Sequence, residues 1–134
     1  MTTYMLDTNT VSYIVRGQSA LARRKLRQTS TRARVCISAI TEAEVRYGLA
    51  KHSMSKDARY AIEQFLLNID VLAWDSDAAK AYGSLRAQLE VKGRSLGNMD
   101  LLIAAHAIAA GAVLVTNDQA FRHARGTLVT TNWV

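Results

Sequence analysis

A chain of 134 residues, 49% of them hydrophobic, suits one compact domain over residues 1–134 that buries a core without staples. The formal net charge of +6 favours a polyanionic partner. The lone Cys36 excludes an internal disulfide and fits a reducing cytoplasm. No apolar run approaches the roughly 18 residues of a membrane span, and Met1–Thr3 shows no basic stretch ahead of an apolar one, so neither a membrane segment nor a secretory signal is expected.

In chain order, Thr3–Leu6 reads as a short strand that stops at Asp7-Thr8-Asn9, all good helix caps. A helix follows to about Arg16 and breaks at Gly17; Ser19 caps a second, to about Gln28. Val35–Ile37 is a strand, and Ser38 or Thr41 starts a helix ending near His52. Another helix spans Lys56 to Asn68, Val71–Ala73 is a strand, and Asp75-Ser76 opens a long helix to about Val91. After a loop between Gly93 and Gly97, Asn98 is expected to cap an apolar helix from Met99 to Ala110, ended by Gly111. Ala112–Val115 is the clearest strand, Asn117-Asp118 turns it into a short helix near Phe121, and Leu128-Val129 adds a last strand. Strands alternating with helices imply parallel pairing through crossovers, hence an α/β fold. The strands are short and apolar throughout, as strands covered on both faces should be.

Charge is unevenly spread. Between Asp7 and Glu42 there is no acid, while Arg16, Arg23, Arg24, Lys25, Arg27, Arg32 and Arg34 all occur. Arg16, Arg23, Arg24, Lys25 and Arg27 are candidate RNA contacts; a solvated helix face explains the run equally well.

Ligands of open α/β sheets bind beyond the carboxyl ends of the strands. Asp7 directly follows the first strand, and Asp118 follows the Ala112–Val115 strand after Thr116-Asn117. Glu44 lies near the start of the helix after Val35–Ile37, and Asp100 in the first turn of a nearly all-apolar helix. Singly, each acid can serve as a cap or a solvated charge. Four anions at one edge repel one another and demand protons or a cation. Carboxylates without Cys or His are the ligands of a hard ion, Mg²⁺ or Mn²⁺. Such ions activate water and neutralise a phosphodiester in line with attack. Glu42, two residues before Glu44, projects roughly 200° away on a helix, so only one of the two faces the site; periodicity does not say which.

Taken in order, these stretches resemble VapC-type PIN domains. Met5-Leu6-Asp7-Thr8-Asn9 looks like their opening. Ile37–Thr41 with Glu44, Val45 and Gly48 resembles their second motif, and Tyr82–Ala87 with Leu89-Glu90 the stretch before the third. Gly97–Ala107, containing Asp100, is the most specific match. Leu114–Asp118 with Phe121 supplies the fourth motif, and Asn132-Trp133 looks like the usual ending. The resemblance implies a three-layer sandwich with a short, mostly parallel central sheet flanked by helices. It implies a metal-dependent endoribonuclease, the toxin of a toxin–antitoxin pair, cutting structured RNA, with a tRNA loop favoured. It implies a homodimer and a cognate antitoxin protein. By position, Asp7, Glu44 and Asp100 are then the metal-binding core, with Asp118 the fourth acid. Thr8, Asn9 and Thr116 look like residues that orient the carboxylates.

Two rival readings follow from the same residues. One is an RNA-binding module without turnover, regulated by a partner protein, its acids serving as caps. The other is a phosphotransfer enzyme using Asp7 as nucleophile, but Asn9 stands where a haloacid dehalogenase-type phosphatase has a second Asp. His52, His106 and His123 show no ligand spacing, and His106 reads as a core residue.

Overall fold

The computed structural model describes residues 1–134. Five strands form one sheet: β1 (Thr3–Leu6), β2 (Arg34–Ser38), β3 (Asp70–Leu72), β4 (Val113–Val115) and β5 (Thr130–Thr131). Their order is β3-β2-β1-β4-β5, and every pairing is parallel. Six α-helices connect and cover them: α1 (Thr8–Val15), α2 (Ala20–Ser30), α3 (Ala39–Lys51), α4 (Lys56–Asn68), α5 (Ser76–Val91) and α6 (Asn98–Ala109). A 3₁₀ helix over Gln119–Ala124 follows β4. No helix is long and apolar enough to cross a membrane.

The two-residue period of a strand explains the layering. Met5, Cys36 and Leu114 belong to a core with Leu85 and Leu89 of α5, Ile103 and Ala107 of α6, and Phe121. Their strand neighbours Leu6, Ile37 and Val115 turn to the other face, where they meet Val11 and Ile14 of α1, Ala22 of α2, Ile62 and Leu66 of α4, and Trp133. Both faces of the three central strands β2, β1 and β4 are therefore buried, which is why they are apolar without alternation.

Helix starts follow local chemistry. Ser19, Ser38, Ser55 and Asp75 each accept a hydrogen bond from a backbone N–H in the first turn of α2, α3, α4 and α5, at 3.0–3.1 Å. Each such cap contributes about 1 kcal/mol. At the other end of α6, Gly111 takes φ +63°, the left-handed turn that stops a helix.

Several boundaries move by one or two residues, β3 for example to Asp70–Leu72 from the expected Val71–Ala73, and two further differences bear on the site and the sheet edge. Gly97, not Asn98, precedes α6, and no side chain caps that end. The last strand is Thr130–Thr131 rather than Leu128-Val129, because Leu128 is spent in the core beside Phe121 and the ladder with β4 aligns Leu114 with Thr130.

Candidate metal centre

The strand order reverses about β1: β2 and β3 lie to one side, β4 and β5 to the other. Beyond the carboxyl ends of β1 and β4 lies the crevice such a switch point creates. Asp7 directly follows β1 at that edge and is 3% exposed. Its backbone N–H donates to the Val115 carbonyl at 3.0 Å, joining the ends of β1 and β4. Its side chain caps α1, accepting from the Thr10 N–H at 2.8 Å. The Thr10 hydroxyl donates to the same Val115 carbonyl at 3.1 Å. The Thr116 hydroxyl favours the ionised Asp7 carboxylate, and its oxygen accepts from the Asp118 N–H at 3.0 Å.

The other acids arrive from separate helices. Glu44 on α3 is half-buried and accepts from the Thr8 hydroxyl at 2.6 Å, and the Thr41 hydroxyl oxygen lies 3.4 Å from that of Thr8. Glu42 turns away and pairs with Arg46 at 2.9 Å. The structure thus supplies the direction that periodicity left open. Asp100 lies in the first turn of α6, half-buried. Asp118 caps the 3₁₀ helix through the Ala120 N–H at 2.9 Å.

Electrostatics marks these groups as one set. Burial raises the Asp7 pKa, partly offset by bonds from Thr116 and Thr10, and Asp118 adds to the rise. Burial likewise raises that of Asp100, with further rises from Asp118, Glu44 and Asp7 in turn. The three ion pairs of the molecule, Arg34–Asp70, Arg46–Glu42 and Arg86–Glu90, leave all four acids without a basic partner. Buried anions without a counter-charge are costly. An all-oxygen donor set with uncompensated negative charge suits a hard divalent cation. As the side chains lie, no three of them are grouped closely enough to hold an ion; joint coordination therefore needs side-chain rotation.

A cleft of about 500 Å³ runs from Thr8 and Glu44 along α1 and α3, lined by Val11, Val15, Tyr47, Met54 and Met99 among others. Of the five basic candidates, Arg16 alone lines it. The Arg23 Nε donates to the Ile14 carbonyl at 2.7 Å, closing the end of α1. Arg24, Lys25 and Arg27 are exposed on α2. Asn9 is exposed and its side chain joins none of the hydrogen bonds around the acids. Beside the expected Thr8, Thr10 holds Asp7 through its N–H and Thr41 lies against the Thr8 hydroxyl; neither was among the residues expected to orient the carboxylates. Thr10 was findable: the third residue of a helix donates its N–H to a capping Asp, and a β-branched hydroxyl there reaches back to the sheet.

An all-parallel α/β sheet with acids converging at its switch point defines a class, and sequence comparison gives it a name. The chain belongs to the PIN-domain family: residues 4–126 match the family described as PIN domain. It is 35% identical over 133 residues to the "tRNA(fMet)-specific endonuclease VapC" of Shigella flexneri, covering 99% of both chains. It is 36% identical over 115 residues to "Ribonuclease VapC2" of Rickettsia felis, covering 86% of both. The crystal structure of VapBC2 from Rickettsia felis, bound to a DNA fragment from their promoter, superposes with a TM-score of 0.91 at 34% identity, over 98% of this chain and 99% of that one. Within the family, the chain is a member of the VapC ribonucleases.

Proposed function

We propose that this protein is a Mg²⁺- or Mn²⁺-dependent endoribonuclease, the toxin of a toxin–antitoxin pair, held in check by a cognate antitoxin protein. Its substrate on this reading is structured RNA, a tRNA loop first, as in relatives named for tRNA(fMet). The observation that carries the reading is Asp7: a carboxylate 3% exposed and without a basic partner, whose pKa is raised by burial and by Asp118, with Asp100 raised in turn by burial and by Asp118, Glu44 and Asp7.

Asp7, Glu44 and Asp100 are the residues that would hold the ion, with Asp118 completing the set. When bound, a divalent ion supplies water activation and neutralises the phosphodiester charge. The protein's own groups do the positioning. Thr8 holds Glu44, and the Thr10 N–H holds Asp7. Thr116 also fixes the turn that carries Asp118. Arg16, on the cleft wall, is suited to a neighbouring phosphate. No side chain is required as nucleophile, so 5′-phosphate and 3′-hydroxyl ends are expected.

The test is cleavage of total tRNA by antitoxin-free protein with Mg²⁺ or Mn²⁺, against EDTA and an Asp7→Asn control. Discrete fragments lost in both controls support the reading. Full metal-dependent cleavage by Asp7→Asn overturns it, and RNA binding that is equal in EDTA without any cleavage favours a non-catalytic module.

A further inference from the structure

His106 lies on α6 and Ser38 at the end of β2, 68 residues apart in sequence. Both are buried, at 4% and 0% exposure, and His106 Nδ1 stands 2.7 Å from Ser38 Oγ. Ser38 also accepts from the Ile40 N–H at 3.0 Å, which caps α3. Burial lowers the His106 pKa against an opposing rise from Asp75, and the net lowering favours the neutral ring. In the tautomer with Nδ1 unprotonated, a chain of bonds runs from the Ile40 N–H to the Ser38 hydroxyl and from that hydroxyl to His106 Nδ1.

The position of this bond is informative. Ser38 is six residues before Glu44, and His106 six residues after Asp100. At about 1.5 Å per helical residue, the tie sits roughly 9 Å along its helix from each acid. No other side-chain hydrogen bond joins the β2–α3 junction to α6. Interdigitated apolar side chains limit sliding of α3 along α6. A short bond between buried polar groups adds one fixed pair of atoms to that packing, since breaking it strands both partners.

We propose that the Ser38–His106 hydrogen bond sets the spacing of Glu44 and Asp100, making His106 a positioning residue for divalent-metal binding. This rests on the metal-centre reading above.

Isothermal titration with Mn²⁺ alone, without RNA, tests it on four proteins: wild type, His106→Leu, His106→Gln and His106→Asn. Asn offers a polar atom at the branch point occupied by Nδ1; Gln offers one a bond further out; Leu offers none. The expected result is a Kd weakened about tenfold in the Leu and Gln variants and near wild type in the Asn variant, in line with outer-shell substitutions elsewhere. Melting temperatures in EDTA are measured alongside. A Kd that stays at the wild-type value in the Leu and Gln variants, whatever their melting temperature, overturns the proposal. If the Leu variant does not fold, the Gln and Asn pair decides. Asp7→Asn is the control for the reading beneath: if wild type binds no Mn²⁺, or Asp7→Asn binds as tightly as wild type, the metal centre itself is wrong and the proposal falls with it.

Discussion

Replacing Asp7 by Asn should abolish cleavage and at the same time stabilise the metal-free protein. The side chain is 3% exposed, and its cap survives the change because the amide oxygen still accepts the Thr10 N–H. What disappears is a buried charge with no basic partner, whose penalty in a protein interior is several kcal/mol. Against that, the anion loses its favourable position at the α1 N-terminus, about 0.3–1 kcal/mol, and the charge assistance to its bond from the Thr10 N–H. The net gain should be about 1–2 kcal/mol at pH 7 in EDTA, or about 5 °C in Tm for a chain of this size. The pH dependence has a definite sign. A carboxyl whose pKa is raised by folding favours the folded state below its unfolded pKa, and this contribution is lost as pH rises through the folded value. The advantage of Asn over Asp should therefore be largest near neutrality and shrink on acidification. Mn²⁺ at about 100 times its Kd should stabilise the wild type by roughly 2.7 kcal/mol and leave the variant unmoved, inverting their order. Scanning calorimetry at several pH values, with EDTA or Mn²⁺, reads all of this. An Asp7→Asn protein that melts below wild type in EDTA at pH 7 would refute the reasoning, since Asp7 would then be compensated within the native state.

Three further outcomes are expected. Thr8→Val should free Glu44 and reduce cleavage about tenfold with little change in Tm, while Thr8→Ser restores it; steady-state cleavage of a mapped RNA checks this. Arg16→Ala should weaken RNA binding and reduce the salt slope by about one, while Arg23→Ala should chiefly lower stability through the loss of its bond to Ile14; filter binding across a salt series, with thermal melts, separates them. Phe121→Ala should destabilise the fold by about 3–5 kcal/mol, since the ring is 2% exposed in the core beneath the Asp118 turn; urea denaturation measures it.

The architecture was legible because its signals are local. Runs such as Met5-Leu6 and Leu114-Val115 state their own two-faced burial, and Ser19 and Asp75 announce the helices they cap. The convergence of the acids was legible only through topology, since each follows or opens an element at the same edge of the sheet. Side-chain direction was harder. Glu42 and Glu44 were separated by Arg46 and Thr8, partners that periodicity does not reveal. The basic run read as one surface, yet Arg23 bonds the Ile14 carbonyl at the end of α1 and, of the five candidates, only Arg16 lines the cleft. His106 read as core from its apolar helix, and it is buried; its bond to Ser38 joins residues 68 apart and leaves no mark in the local pattern.

The position of β1 has a kinetic consequence. The earliest strand in the sequence is the middle strand of the sheet, and Thr10 completes its bond to Val115 across 105 residues of chain. Closing so long a loop is among the slowest events in forming a small domain. Asp7 and Asp118 therefore come into register only when the sheet is nearly whole. A partly folded chain carries the acids but not their arrangement, so ribonuclease activity should appear only when the chain is almost fully folded, and destabilising changes far from the crevice should lower it.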